Sequence, residues 1–484
     1  MKSNNIRNSP ISIVQGDTSI SSADFNVIVN QFRYELLNSG VKEQQVIAVK
    51  GENSIDFIIA MYAVMAAGAI ALPVYHLSGK DEWQEMLKKA NVAWAIFQNK
   101  FIPQESKLKI LDVEKYTFGL EKFESSVDAA LLHSKGELEG VSNKKFHNRE
   151  SPPRFIRFTS GTTGAAKGVL LSERSIEERI EAANKTLNLG PNDTVLWVLP
   201  MAFHFVVSIM LYVRFGVKIV IANSNLPSDL LTLAETHQAT FLYLSPLHIK
   251  FFASAKVENF PKSIKTVIST SAGANTEDCK KFFQLYGIPV SQAYGIIELG
   301  LPIINLNDAE HFPNSAGKAT PGYEVGILDE NLNPLSFGKQ GKLAIKGVGM
   351  FEAYLAPWKP KNDVLQNGWF LTGDIAETDS EGRVFIKGRE KSMINLSGLK
   401  VFPEEVEAVI NQIKGVETCR VYGVTDSKMQ ETLEAEVVIS DKTTLTESDI
   451  KQTCRMHLAM YKIPTKIYFV ETITETQSGK VKRG

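Results

Sequence analysis

The chain has 484 residues, enough for at least two folded units, because single hydrophobic cores rarely keep growing beyond roughly 250–300 residues. Its 44% hydrophobic, 9% aromatic and 22% charged residues exclude the disordered and fibrous classes. Lys plus Arg (53) and Asp plus Glu (54) nearly cancel, so the net charge gives no reason to expect nucleic acid or an anionic membrane as a partner.

The amino-terminal half alternates helical and strand patterns. Residues 21–40 have the spacing of an amphipathic helix, and residues 45–51 follow as a short apolar strand. Such alternation predicts α/β layers around a parallel sheet. Strand patterns recur at residues 195–199, 217–222, 240–244 and 266–269, and helical patterns at residues 173–187 and 275–285. The polar residues 135–154 predict an exposed connection.

Residues 57–72 form an almost uncharged run, just short of the roughly 18–20 residues that indicate a membrane span. Asn53 and Ser54 can cap a helix there, and Gly68 and Pro73 indicate that a strand begins inside the run. We therefore favour a buried core helix over a membrane span.

Cysteine usage and the first residues bear on the compartment. Cys279, Cys419 and Cys454 form no C-x-x-C pair and no spacing suited to zinc. Residues 1–16 are polar and lack the apolar stretch of a secretory signal. We expect a cytoplasmic protein with no integral membrane span.

From about Gly317 the pattern changes to short strands punctuated by Gly and Asp, which predicts a β-rich subdomain. Residues 379–382 (DSEG) indicate a hairpin turn within it. After Arg389 comes a compact β/α region with a helix opening near Pro403, whose size suits a small second domain.

The strongest signal for chemistry is the segment FTSGTTGAAKG at residues 158–168. Its glycines let backbone N–H groups approach a phosphate, its hydroxyls add hydrogen bonds, and Lys167 adds a positive charge. The order of residues in a Walker P-loop is absent. We predict a polyphosphate-binding loop rather than a plain surface turn.

This loop resembles the phosphate-binding signature of the adenylate-forming superfamily, which includes acyl-CoA synthetases, non-ribosomal adenylation domains and beetle luciferases. Further motifs of that family follow in its order. They are SQAYGIIE at 291–298, GWFLTGD at 368–374, GR at 388–389, SGLKV at 397–401 and QSGK at 477–480. Together they cover the chain from about residue 20 onward, and they are most like those of a fatty-acyl or aryl acid ligase.

The resemblance implies an α/β fold with two domains. A large AMP-binding domain of layered α/β subdomains is expected over residues 1–388, with its β-rich subdomain at about 317–388. Residues 389–391 form the expected hinge, and residues 392–484 a small, mobile α+β domain.

The resemblance also implies an ATP site. Its expected contacts are Thr159, Ser160, Gly161, Thr162, Thr163, Gly164, Lys167, Gly273, Ala274, Tyr294, Gly295, Asp374 and Arg389. Tyr294 offers a flat ring for a purine, and Gly295 leaves space beside it. Asp374 resembles the aspartate that accepts hydrogen bonds from the ribose hydroxyls, joined by Arg389. Gly273 and Ala274 belong to the expected adenine-side loop.

Glu298 supplies a hard oxygen ligand, and the resemblance makes Glu298 and Thr163 the expected contacts to the Mg²⁺ that accompanies ATP. One position departs from the family. A threonine that helps to hold phosphate usually precedes this glutamate, whereas Ile297 cannot form a hydrogen bond.

Lys480 is the expected catalytic lysine, because its family counterpart neutralises the charge that develops during in-line attack on the α-phosphorus. Thiol transfer is expected to need the face that carries Gly398 instead. Both residues belong to the small domain, so rotation about Lys391 is expected between the two half-reactions.

His204 lies where many fatty-acyl and aryl members carry an aromatic–histidine pair beside the acyl pocket, and a satisfied core histidine is the alternative. Amino-acid-activating members place an aspartate nearby, but residues 203–211 contain no acid. An unpartnered buried ammonium would be costly, so we expect a fatty or aromatic carboxylate without an α-amine.

The predicted enzyme is therefore an AMP-forming acid–thiol ligase that uses ATP and Mg²⁺. Its partner is a small-molecule carboxylic acid, and the pantetheine thiol belongs either to coenzyme A or to an acyl carrier protein. Adenylation without thioester formation and a non-catalytic nucleotide-binding module, suggested by Ile297, are the alternatives.

Overall fold

The fold is given by a computed structural model that describes residues 12–101, 109–113, 116–122, 151–158, 167–255, 260–396, 399–425, 431–440 and 444–474. The predicted connection at residues 135–154 therefore lies outside the described residues up to position 150.

Strands provide the main layers. Among the described residues they are β1 Ser12–Gln15, β2 Thr18–Ser21, β3 Val46–Gly51, β4 Ile70–Tyr75, β5 Val92–Gln98, β6 Lys109–Val113, β7 Tyr116–Lys122, β8 Pro153–Phe158, β9 Gly168–Ser172, β10 Thr194–Trp197, β11 Lys218–Ile221, β12 Phe241–Leu244, β13 Thr266–Ser269, β14 Val290–Ile296, β15 Gly300–Ile304, β16 Lys318–Ala319, β17 Tyr323–Leu328, β18 Gly341–Gly347, β19 Ala353–Leu355, β20 Lys359–Pro360, β21 Phe370–Thr378, β22 Val384–Arg389, β23 Ile394–Leu396, β24 Leu399–Val401, β25 Val416–Thr425, β26 Glu431–Ile439 and β27 Lys466–Phe469.

Helices cover these sheets. They are α1 Ser22–Asn38, α2 Ile55–Ala66, α3 Lys80–Ala90, α4 Glu173–Leu187, α5 Met201–His204, α6 Leu211–Phe215, α7 Pro227–Thr236, α8 Pro246–Ser254, α9 Thr276–Tyr286, α10 Lys361–Val364, α11 Pro403–Ile410 and α12 Glu447–His457. A π-helix at Phe205–Met210 joins α5 to α6, and 3-10 turns occupy Asn99–Phe101, Glu390–Ser392 and Met460–Lys462.

In the described part of the large domain, two nine-stranded sheets form the main layers. One has the order β20-β19-β9-β8-β4-β3-β5-β7-β6, and the other the order β16-β15-β14-β13-β12-β10-β11-β1-β2. Strands β8, β4, β3 and β5 run parallel in the first sheet, and β14, β13, β12, β10, β11 and β1 run parallel in the second. This confirms the predicted α/β class, because helices cover parallel strands that are apolar on both faces.

Helix α2 shows why the apolar run is not a span. The Ser54 side chain caps it by accepting from the Phe57 N–H, and ten of its twelve residues are buried. The helix contacts α1 and strands of both large sheets, and the chain re-enters a sheet at Ile70. The core-helix prediction is confirmed. Nowhere in the described part of the chain is a helix long and apolar enough to cross a membrane.

The β-rich part is the antiparallel sheet β17-β18-β21-β22. The predicted turn at residues 379–382 joins β21 to β22, and the Gly382 N–H donates to the Asp379 carbonyl at 3.0 Å. This hairpin matters for the site because it sets Asp374 opposite Arg389.

The carboxyl-terminal region has its own core. Apolar residues of β23 to β27, α11 and α12 form a cluster separate from those of the large domain. Its sheet, β25-β26-β27, is mixed, so the predicted smaller α+β domain is confirmed. It contacts the large domain where Lys250 Nζ donates to the Glu417 carbonyl at 2.8 Å.

Candidate active site

Asp374 and Arg389, predicted at the ribose, meet Tyr294, predicted at the purine. The Tyr294 hydroxyl donates to Asp374 Oδ2 at 2.5 Å, and Arg389 Nε lies 2.8 Å from Asp374 Oδ1. The Asp374 side chain is only 5% exposed, whereas that of Arg389 is 45% exposed. Both carboxylate oxygens thus have a donor, and the guanidinium is partly exposed to solvent.

Local backbone geometry fixes this carboxylate. Gly373 has φ +76°, a left-handed conformation that glycine adopts without strain. The turn brings the Asp374 N–H to the Thr372 hydroxyl oxygen at 3.1 Å. Burial, followed by the charge of Asp374, raises the pKa of Tyr294 well above its ordinary value. The phenol therefore stays protonated and remains a hydrogen-bond donor near neutral pH.

The expected adenine-side loop is tied to the strand that carries Tyr294. The Ala274 N–H donates to Gln292 Oε1 at 3.0 Å, and Gln292 is buried on β14. A methyl group at Gly295 would come within 2.9 Å of the Gly300 carbonyl oxygen. Gly295 is therefore required by the close approach of β15, and Gly273 lies in the loop that Gln292 holds.

Glu298 and Lys167 are brought together by a residue that the sequence motifs do not include. The Tyr354 hydroxyl donates to Glu298 Oε1 at 2.8 Å, and Lys167 Nζ lies 4.9 Å from the centre of the Tyr354 ring. Burial, then the Glu298 charge, raises the pKa of Tyr354. Tyr354 is on β19, which pairs with β9 just after Lys167.

The backbone of residues 297 and 298 is held by a buried arginine. Arg179, on α4, is 1% exposed and donates to the carbonyls of Ile297 at 2.8 Å and Gly349 at 3.0 Å. Burial lowers the pKa of Arg179 to about 10, so its guanidinium remains charged at neutral pH. Arg179 thus positions the Glu298 segment without lying in the predicted motifs.

Substituting Arg179 with methionine is expected to lower the free energy of unfolding by about 3 kcal/mol, because buried carbonyl groups lose their donor. Urea denaturation followed by tryptophan fluorescence measures this change. All five tryptophans precede residue 389, so the signal reports the unfolding of the large domain, which contains Arg179. Arg174→Met is the matched control on the same helix. Its exposed ion pair with Glu178 predicts a change within about 0.5 kcal/mol, and equal effects of both variants would contradict the anchoring role.

His204 is half-buried at the end of α5, with Nε2 3.3 Å from the Ser271 hydroxyl oxygen. Its ring also packs against the buried aromatic rings of Trp197 and Tyr243, at 6.2 and 6.3 Å between centres. The histidine therefore lies between the expected adenine-side loop and the rings of Trp197 and Tyr243, which form an aromatic wall. This position is compatible with the acyl-pocket role and with the alternative of a satisfied core histidine.

Several predicted residues lie outside the described part of the chain. They are Thr159, Ser160, Gly161, Thr162, Thr163, Gly164, Gly398 and Lys480. Lys391 is described and lies exposed in the turn Glu390–Ser392, directly after Arg389. The described residues hold no cluster of three or more His, Cys, Asp or Glu side chains suited to a metal.

The class of protein follows from comparison with known families. The model of the AMP-binding enzyme family matches residues 4–355, and that of the AMP-binding enzyme C-terminal domain matches residues 405–480. The chain therefore belongs to the AMP-binding enzymes, and the predicted superfamily is confirmed.

Individual relatives are similar over nearly their whole length. A probable CoA ligase of Humulus lupulus is 25% identical, with 97% of this chain and 91% of the relative covered. An indoleacetate–CoA ligase of Aromatoleum aromaticum is also 25% identical, over 96% and 92%. The long-chain-fatty-acid–CoA ligase of Escherichia coli O157:H7 is 26% identical, over 92% and 85%.

Solved structures share the fold. ATP-bound MatB from Rhodopseudomonas palustris has a TM-score of 0.83 at 22% identity, and the match covers 100% of this chain and 97% of that one. The Bacillus subtilis O-succinylbenzoate coenzyme A synthetase in complex with AMP has a TM-score of 0.82 at 20% identity, over 98% and 95%.

Proposed function

We propose that this enzyme uses ATP to activate a carboxylic acid as acyl-AMP and then transfers the acyl group to a pantetheine thiol. The carboxylate oxygen attacks the α-phosphorus, and pyrophosphate leaves with the electron pair of the broken P–O bond. The pantetheine thiol loses its proton to solvent, its sulfur attacks the acyl carbonyl, and AMP leaves with the electron pair of the broken acyl–oxygen bond. The observation that carries this proposal is the meeting of Tyr294, Asp374 and Arg389 at one point.

Two halves of an ATP site support the adenylation step. Asp374 offers a nearly buried carboxylate to the ribose, and Lys167 with Glu298 forms the phosphate end. Tyr294 and Glu298 are four residues apart, so their Cα atoms are at most about 14 Å apart. Both ends therefore lie within the length of one nucleotide triphosphate.

Glu298 would hold Mg²⁺ together with the phosphates of ATP. Its carboxylate is half-buried and oriented by the Tyr354 hydroxyl. One protein carboxylate plus phosphate oxygens is a usual donor set for Mg²⁺, so the residues fit, with Thr163 as the second proposed protein ligand. When bound, the ion would neutralise phosphate charge.

The acid is proposed to be a fatty or aromatic carboxylate. Residues 203–211 carry no Asp or Glu, and the aromatic wall behind His204 offers apolar surface instead. The CoA-ligase relatives include enzymes named for long-chain fatty acids and for indoleacetate. Coenzyme A is the thiol in the names of these relatives, and an acyl carrier protein is the other proposed acyl acceptor.

We further propose that residues 389–391 act as a hinge between residues 1–388 and 392–484. The apolar core of the small domain is separate, and Lys391 is exposed between the two. A methyl group at Gly388 would come within 2.7 Å of Glu404 Oε2, so the two domains meet closely at this point. Rotation there would move Lys480 out of the active site after adenylation and bring the Gly398 loop into it for thiol transfer.

The test incubates the full chain with Mg·ATP and a panel of aliphatic, aryl and amino acids. Hydroxylamine trapping and acid-dependent pyrophosphate exchange measure adenylation, and mass spectrometry measures acyl-CoA. We expect exchange with at least one aliphatic or aryl acid and none with amino acids. Absence of exchange with every acid, despite ATP binding, would instead support the non-catalytic alternative that Ile297 suggests.

A positive exchange signal without a thioester would support the adenylation-only alternative. Adding a phosphopantetheinyl carrier protein in place of coenzyme A shows which of the two thiols accepts the acyl group. Formation of acyl-CoA at a rate similar to that of adenylation is the expected outcome.

A further inference from the structure

Arg157 is a charged side chain that neither the motifs nor the proposed ATP contacts include. It lies on β8, two residues before Thr159. Side chains alternate along a strand, so Arg157 shares a face with Phe155. Phe155 belongs to the core between the two large sheets and stacks on Phe205, whereas Ile156 and Phe158 belong to the core on the opposite face. Arg157 therefore points into the crevice between the sheets.

The surroundings of Arg157 are those of the proposed reaction centre. Its guanidinium carbon lies 5.6 Å from the centre of the Phe203 ring, next to His204. Burial lowers the pKa of Arg157 to about 10, and the negative charge of Glu298 opposes this shift. The side chain is therefore cationic at neutral pH, between the acyl-pocket residues and the phosphate end of the site.

One donor of Arg157 is not used. Its Nε atom is shielded from solvent and has no hydrogen-bond partner among the residues that the structure describes. Unsatisfied buried donors are rare, and those on a charged group are costly. A ligand oxygen would satisfy this donor.

Ile297 explains why such a donor is needed at this site. Ile297 stands immediately before Glu298 and cannot donate a hydrogen bond. Its side chain packs against the large core, and its carbonyl is occupied by Arg179. The residue immediately before Glu298 thus offers no hydroxyl to an anion.

We propose that the Arg157 guanidinium binds an anionic oxygen at the adenylation centre, in place of the hydroxyl that Ile297 lacks. A planar guanidinium can present two parallel N–H donors to a phosphate or a carboxylate. Two groups can supply that oxygen, namely the α-phosphate of the nucleotide and the reacting carboxylate of the acid. This inference rests on the proposed function.

The first experiment needs no knowledge of the acid. Calorimetry measures the binding of AMP and of adenosine to the wild-type chain and to Arg157→Met, which keeps an apolar stem of similar length. If the α-phosphate is the partner, AMP affinity falls about 10- to 100-fold and adenosine affinity is unchanged. Arg157→Lys keeps the charge and is expected to recover part of the loss. Parallel losses for both ligands would indicate a structural role and overturn the proposal.

The second experiment uses an acid that supports pyrophosphate exchange by the wild-type chain. If the carboxylate is the partner, Arg157→Met raises KM for the acid while AMP affinity is unchanged. Under either partner, the loss of kcat/KM caused by Arg157→Met is expected to shrink at least about tenfold in an Ile297→Thr background, because the hydroxyl replaces a donor. Equal losses of kcat/KM in both backgrounds would contradict the proposal that Arg157 takes the place of a hydroxyl at position 297.

The two proposals fail differently. A wild-type chain that binds AMP but exchanges no pyrophosphate would overturn the ligase function and leave the AMP comparison to decide the role of Arg157. Normal exchange and normal AMP affinity in Arg157→Met would overturn this inference alone. Thermal unfolding of each variant identifies any that fail to fold, and Arg157→Lys then serves in place of methionine.

Discussion

Asp374→Ala is expected to reduce kcat/KM for ATP by about 10²–10⁴-fold, with most of the loss in KM. Hydrogen bonds to a charged acceptor contribute about 1.5–3 kcal/mol each, and the ribose would lose two of them. The substitution also releases the Tyr294 hydroxyl and the Arg389 guanidinium, which both lose their common acceptor. Acid-dependent pyrophosphate exchange at varied ATP concentration gives the two constants.

Glu377→Ala is the matched control for Asp374. Glu377 lies on the same strand and pairs with Lys387 at 2.8 Å in a partly exposed position. Its loss is expected to change kcat/KM for ATP less than about twofold. Asp374→Asn keeps the shape of the side chain, and its kcat/KM for ATP should lie between the values of the wild type and Asp374→Ala. An unchanged KM for ATP in Asp374→Ala would contradict the proposed ribose contact.

Lys480→Ala is expected to lower the rate of acid-dependent pyrophosphate exchange by about 10²–10³-fold. Preorganised charges that act on the transition state contribute about 3–4 kcal/mol, and the family resemblance assigns this role to Lys480. Lys482→Ala is the neighbouring control and should exchange pyrophosphate at nearly the wild-type rate. Near-normal exchange by Lys480→Ala would refute the assignment.

The same variant tests the proposed hinge. If thiol transfer uses the other orientation of the small domain, Lys480→Ala supplied with preformed acyl-AMP should still make acyl-CoA at close to the wild-type rate. A thioester rate that falls as far as the adenylation rate would mean that one orientation serves both steps.

Local sequence signals predicted the elements well where the chain itself contains the cause. Helix α4 begins and ends at the predicted residues because Ser172 forms a capping box with Ser175 and Asn188 ends the helix in a left-handed conformation. Strand β13 also has the predicted bounds, Thr266–Ser269, because its buried apolar residues are followed directly by a polar loop.

The supporting residues of the site could not be predicted in this way. Tyr354 contacts Glu298 across 56 positions, and Arg179 contacts Ile297 across 118. Such contacts arise only when separate layers pack, and a lone Tyr or Arg on an amphipathic element carries no local signal of its partner. The position of Arg157 near Glu298 could not be predicted either, because an arginine in an apolar strand also fits an exposed edge strand.

The hydrogen bond between Tyr294 and Asp374 joins two sheets that share no strand. Tyr294 belongs to the second nine-stranded sheet, and Asp374 to the four-stranded antiparallel sheet. A nucleotide bound to both residues would therefore stabilise the contact between the two sheets. The fraction of molecules in which the two sheets separate would then fall as the nucleotide concentration rises. At a hundred times its dissociation constant, a ligand that requires both layers would oppose their separation by about 2.7 kcal/mol.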